Sequence, residues 1–181
     1  NAEYHPYFIK KSYPELIERF NIPLDEYPRR CVWAIDRWKT MRDELVGNEG
    51  LTHTRSHEYI SYILDAIETD VPFKFGGNVM NTGLITNLPR EACVEVSCIA
   101  DASGVTPTYV GHLPPQCAAL NRTNVNTQLL TIEAATTLKK DHIYQAAMLD
   151  PHTSAELSID DIVAMCDELI ERHGDWLPAY R

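Results

Sequence analysis

Residues 71–100 read VPFKFGGNVMNTGLITNLPREACVEVSCIA, and the way this stretch divides decides the fold. Residues 71–75 and 93–100 are apolar runs rich in valine, phenylalanine and isoleucine, the composition of strands. Between them, residues 76–89 hold three glycines and three asparagines in fourteen positions. Glycine admits left-handed or crowded backbone, and asparagine tolerates the left-handed region while offering both a donor and an acceptor. The stretch therefore reads as strand, loop, strand, with VPFKFGG (71–77) and CVEVSCIAD (93–101) as the strands. A third strand is expected in VTPTYVG, entered through the turn ASG and leaving into HLPP.

Working outward, helical patterns flank this sheet on both sides. Upstream, prolines at 6, 14, 23 and 28 among aromatic residues predict an irregular segment with one short helix over 14–20. From Arg29 to Val46, the residues Cys31, Ile35, Trp38, Met41 and Leu45 recur at steps of three and four, and GNEG ends the pattern. Residues 56–69 predict a second long helix with Ser56 as its cap. Downstream, 115–138 reads as a helix opened by proline, with NRTNVNT as a weak point that invites a kink. Residues 141–149 and 158–173 follow, the last opening on Ser-Ile-Asp-Asp and stopping at Gly174. Helices segregated around a small, largely antiparallel sheet make the fold class α+β, and 181 residues suffice for one domain with a core.

Charge and cysteine usage narrow the function classes. Twenty-six acidic against sixteen basic residues give a net charge of −10, so no nucleic-acid or anionic-membrane partner is expected. No apolar run is long enough for a membrane span, and a cytoplasmic location is expected. Five cysteines without a CxxC pair predict reduced thiols, mostly buried as small core residues. Cys93 and Cys98 lie five apart and should face opposite ways on a regular strand. Glu95, between two valines, is expected as a buried acceptor or ion-pair partner.

Motifs for a phosphate-binding loop, a dinucleotide turn, a zinc protease helix or a nucleophile elbow are missing from the sequence. His53 and His57 are four apart but precede the expected helix cap, which argues against a metal pair. Asn121-Arg122-Thr123 fits a glycosylation sequon, idle in a reducing compartment. Asp36, Asp43, Glu44, Glu168 and Glu171 read as solvated helix faces. By itself the chain looks incomplete as an enzyme, and its start at Asn1 without methionine suggests a piece of something longer.

The ordered series NAEYHPYFIK, LDEYP, GGNVMNTGLITNLPREACVEVSC, VGHLPPQCAALNRTNVN, AAMLDPHTSAEL and HGDWLP resembles the C-terminal part of glycoside hydrolase family 4, nearest its α-galactosidase branch. That resemblance implies the C-terminal domain of a lactate/malate-dehydrogenase-like fold, spanning residues 1–181, with an N-terminal NAD-binding domain outside this chain. It implies NAD and Mn2+ as cofactors of the full-length enzyme, an α-galactoside as substrate and a homo-oligomer as the assembly. The mechanism implied is redox elimination, with hydride abstraction at C3 of the sugar and deprotonation at C2, rather than two-carboxylate hydrolysis. The family's Cys and His metal ligands fall upstream, so none is assigned here, and the chain alone is expected to be inactive. An α-glucosidase or α-glucuronidase of the same family is the competing assignment; an autonomous non-catalytic interaction module is the alternative of another class.

Two groups of site residues follow from the resemblance. The family's base comes from a segment at or just before the start of this chain, and Tyr4 is the nearest candidate. The loop is expected to line the sugar pocket, with Asn78 and Asn81 bonding hydroxyls and Gly77 and Gly83 allowing close backbone approach. The opposing reading makes the stretch a turn and nothing more.

Overall fold

A computed structural model describes residues 5–47, 54 and 56–181, which fall into two compact units. The smaller, Phe8–Glu58, holds α1 (Glu15–Arg19) and α2 (Glu26–Gly47). The helix expected over 14–20 is there. The stripe helix begins three residues earlier than expected, at Glu26. None of the residues of α2 is buried. Its surface is tied by pairs along the helix: Arg30 to Glu26, Lys39 Nζ to Asp36 at 2.8 Å, and Arg37 Nη1 to Glu44 at 2.6 Å. Such exposed pairs contribute only a few tenths of a kcal/mol each, roughly.

The larger unit, Asn1–Tyr7 with Tyr59–Arg181, carries α3 (Ile60–Thr69), β1 (Phe73–Met80), β2 (Cys93–Asp101), β3 (Gly104–Pro107), α4 (Pro115–Thr137), α5 (Lys140–Leu149), α6 (Pro151–Glu156) and α7 (Ile159–His173). The three strands form one antiparallel sheet in the order β1-β2-β3, as an α+β chain should. β1 and β2 pair from Phe73 opposite Ala100 to Met80 opposite Cys93. The first strand thus runs past its expected end at Gly77 to Met80. Glycine weakens a strand but does not end one whose partner continues.

Alternation then sorts the two faces. Val94, Val96, Cys98 and Ala100 are buried, while Cys93 and Glu95 lie on the open face. The two cysteines face opposite ways, as their spacing requires. Glu95 is not buried: the period of two places it on the open face whatever its valine neighbours are. Burial of most cysteines is also corrected, since Cys31, Cys93 and Cys117 are exposed and only Cys98 and Cys166 are buried.

The core gathers Ile85, Leu88, Ala92, Val94, Val96 and Cys98 against Val125 of α4, with Phe75, Val79, Leu113 and Leu129 packed around them. α4 runs unbroken through NRTNVNT, so the expected kink is absent. Its threonines return their hydroxyls to carbonyls one turn back, as Thr127 does to Thr123 and Thr131 to Thr127, which keeps them compatible with a helix. α3 is shorter than expected: it starts at Ile60 without a side-chain cap, and the Ser56 hydroxyl oxygen accepts from the Glu58 amide ahead of it. At α7 the expected start holds: Ser158 and Asp161 form a reciprocal capping box. α6, capped by Asp150, adds a short helix that the periodicity does not announce.

Candidate functional site

The loop between β1 and β2 is built by its own amides. Asn81 is fully buried. Its Nδ2 donates to the carbonyls of Ile85 at 2.9 Å, Leu88 at 3.1 Å and Pro89 at 2.9 Å, and its Oδ1 accepts from the Ile85 amide at 2.8 Å. Asn87 does the same at longer range, donating to Leu113 O at 2.9 Å and accepting from Leu113 N at 3.0 Å. Further backbone bonds join Thr86 to Gly111 and Leu84 to Val110 and Gly111. Leu113 stands just ahead of the N-terminus of α4. The loop therefore fixes where α4 begins.

This geometry redirects the residues expected to touch sugar. Asn81 has no exposed polar atom to offer, because a buried amide is stable only with its partners made inside the protein. Gly77 lies in β1 on the core side, where a Cβ would stand 2.8 Å from the Cys98 sulfur and 3.2 Å from the Phe75 ring. The close approach seen there is to the core. Gly83 sits in the loop with φ of 105°, the left-handed region that glycine tolerates, and only the Arg90 guanidinium lies near its Cβ direction. Asn78 is exposed on the open sheet face opposite Glu95. Tyr4 and His53 lie outside the described residues.

The larger unit has a second feature that sequence reasoning did not single out. A cleft of about 590 Å³ runs along α4, lined by His5, Cys117, Asn121, Asn124, Gln128 and Asp150 among others. None of Gly77, Asn78, Asn81 and Gly83 is among its lining residues. The α4 residues in the lining follow steps of three and four, so they share a helix face adjacent to the one that buries Val125 and Leu129. Asn121 donates to Cys117 O at 2.9 Å and Asn124 to Leu120 O at 3.4 Å. Each retains its side-chain oxygen as an acceptor. Asp150 also lines the cleft, with Oδ1 accepting from the Thr153 amide at 2.7 Å in the α6 cap. The Nδ1 atom of His5 is buried without a partner among the described residues. The signal for this wall was present in NRTNVNTQ, where uncharged amides repeat at helical spacing.

Groups with displaced proton affinity lie elsewhere. Lys140 Nζ and the Tyr144 hydroxyl both donate to Asp167 Oδ1 at 2.6 Å, which holds the carboxyl below and the ammonium above their ordinary ranges. Burial pushes up the neighbouring Cys166 thiol. This cluster ties α5 to α7 and is not in the cleft lining. Among the described residues no three of His, Cys, Asp and Glu come together, so they do not assemble a donor set for a divalent cation. No helix of the described residues is long and apolar enough to cross a membrane.

Comparison with known proteins places these features. The model of the family 4 glycosyl hydrolase C-terminal domain matches residues 1–153. An alpha-galactosidase of Bacillus subtilis (strain 168) is 67% identical over 181 residues, covering 100% of this chain and 42% of that protein. The chain thus spans well under half the length of that relative. Among solved structures, lplD from Bacillus subtilis superposes with a TM-score of 0.79 at 21% identity, over 93% of this chain and 37% of that one. A 6-phospho-alpha-glucosidase from gut microorganisms, solved in complex with NAD and Mn2+, gives a TM-score of 0.67 at 20% identity, over 81% and 35%. At such identities the likeness carries the fold, and the expected C-terminal architecture of a dehydrogenase-like glycosidase holds.

Proposed function

The chain belongs to family 4 of the glycosyl hydrolases, whose C-terminal domain it forms, and from that premise we propose that it is the C-terminal portion of an NAD- and Mn2+-dependent α-galactosidase. The observation that carries this reading is the 67% identity to an alpha-galactosidase along all 181 residues. The NAD and Mn2+ of the solved neighbour support the cofactors. When bound, they would supply hydride transfer at C3 and acidification at C2, the chemistry of redox elimination. The described residues of this chain offer no donor set for the metal, so no step is assigned to them through it. Their part is to hold the sugar side of the site on a rigid frame, with Asn81 and Asn87 fixing α4 through the loop. The protein acts in the cytoplasm as a homo-oligomer, joined in one chain to the NAD-binding domain that precedes this one.

The whole protein should hydrolyse an aryl α-galactoside only with NAD and Mn2+ supplied, and faster than the α-glucoside or α-glucuronide. Deuterium at C2 or C3 of the sugar should slow turnover where cleavage of either bond limits the rate. Turnover without NAD and Mn2+ would overturn the reading, because acid/base glycosidases break neither C–H bond.

A further inference from the structure

We infer that the cleft face of α4 is a recognition wall for the hydroxyl groups of a neutral sugar, in which Asn124 and Gln128 form the main hydrogen bonds and Asp150 disfavours a phosphorylated one. The inference rests on the α-galactosidase reading and assigns the residues that read its substrate. Three independent observations converge on it.

The first is the chemistry of the wall. Asn121, Asn124 and Gln128 stand on one helix face over a cleft of 590 Å³, within the rough range of 300–1,000 Å³ of small-molecule sites. An amide is donor and acceptor at once, as a sugar hydroxyl is, and it forms such pairs without the desolvation penalty of an ion. The exposed amide of Gln128 makes no hydrogen bond among the described residues, while Asn124 keeps its Oδ1 free. Asparagines in mid-helix are poor helix formers, and neither Asn121 nor Asn124 belongs to the hydrophobic core cluster.

The second is His5. Its Nδ1 is buried at the same cleft with no partner among the described residues, and buried polar atoms in folded proteins nearly always have a partner. A ligand hydroxyl supplies one. The third is charge: among the described residues the cleft lining carries the Asp150 carboxylate and neither lysine nor arginine. A phosphate placed there would face a like charge with no cation to offset it.

The test uses the whole protein with NAD and Mn2+ and reads two quantities: galactose affinity by saturation-transfer NMR, and KM for an aryl α-galactoside. Asn124→Ala with Gln128→Ala should weaken galactose and raise KM roughly tenfold or more, two neutral hydrogen bonds being lost. kcat should move less than KM. Asn126→Ala, whose amide is bonded to Arg122 Nε at 2.6 Å and which is not in the lining, should change neither. Asp150→Asn keeps the α6 cap and should narrow the preference for galactose over galactose 6-phosphate by about threefold.

Affinity and KM within twofold of the parent in the folded double variant overturn the wall. If the double variant does not fold, Gln128→Glu, a near-isosteric change at an exposed position, decides the same question by the same threshold. Turnover unchanged by either substitution removes the wall and leaves the α-galactosidase reading intact. Galactose binding that is lost in the variants, in a protein without α-galactoside turnover, keeps the wall and removes the activity. A parent that neither binds galactose nor turns over removes both.

Discussion

Helix α2 and the loop between β1 and β2 use their sequences in opposite ways. α2 has a clear apolar stripe, and yet Trp33 is 65% and Trp38 74% exposed. The loop has little apolar content, and yet its Asn81 is buried completely. Helical periodicity fixes which residues share a face; it does not supply a surface for that face to cover. Burial in the loop comes from hydrogen-bond satisfaction, since one side-chain amide closes three carbonyls and one N–H that no ladder reaches. Polarity therefore misleads about burial in both regions.

The largest effect that would break this contrast is at Asn81. Asn81→Ala should cost about 4 kcal/mol, because several buried backbone groups lose their partner at once. In a thermal melt of the whole protein this is a fall of roughly 10 °C. A change under about 1 kcal/mol would mean that the loop does not depend on its amide. Next comes Gly77→Ala, where the added methyl meets the Cys98 sulfur at 2.8 Å. The expected cost is about 1–3 kcal/mol, read from the same melt. Gly83→Ala, in contrast, meets space but carries backbone strain from its positive φ, and should cost about 1 kcal/mol.

The opposite facing of Cys93 and Cys98, the strand at Cys93–Asp101 and the start of α7 were legible in the sequence, because each rests on a local rule: period two, β-branched composition, a capping box. The extension of β1 past Gly77 to Met80 was not, since it depends on the partner strand continuing opposite. Glu95 defeats a reading by composition for a related reason, its valine neighbours pointing to the other face. The candidate site was legible only as chemistry. The loop's asparagines announced amide work, whereas NRTNVNT was read only as a weak point of its helix, and nothing local says which amides face inward. Tertiary satisfaction decides it: Asn81 and Asn87 have backbone groups to close, whereas Gln128 has none.

A smaller effect separates the α5–α7 tie from both regions. Asp167 has a depressed pKa, so its contribution to stability is complete above the ordinary carboxylate range and is lost as pH falls through its folded value. Lys140, raised by the same contact, contributes below the ordinary lysine value and loses that contribution as pH rises through its own folded value. Asp167→Asn should thus lower the melting temperature slightly at pH 7 and leave it unchanged in strong acid. Smallest of all is Trp38→Ala in α2, expected within about 0.5 kcal/mol as at other exposed positions. A larger loss in the whole protein would mean that something covers the stripe there.

The division of labour between architectural and recognising amides is tested most directly by hydrogen–deuterium exchange of the whole protein, with NAD and Mn2+, in the presence and absence of galactose. Peptides over 117–128 of α4 should gain protection on galactose binding, while 81–92, already closed by Asn81, should exchange slowly and equally in both conditions. Protection gained over 78–92 with 117–128 unchanged would contradict the account, and would return sugar recognition to the glycine–asparagine loop.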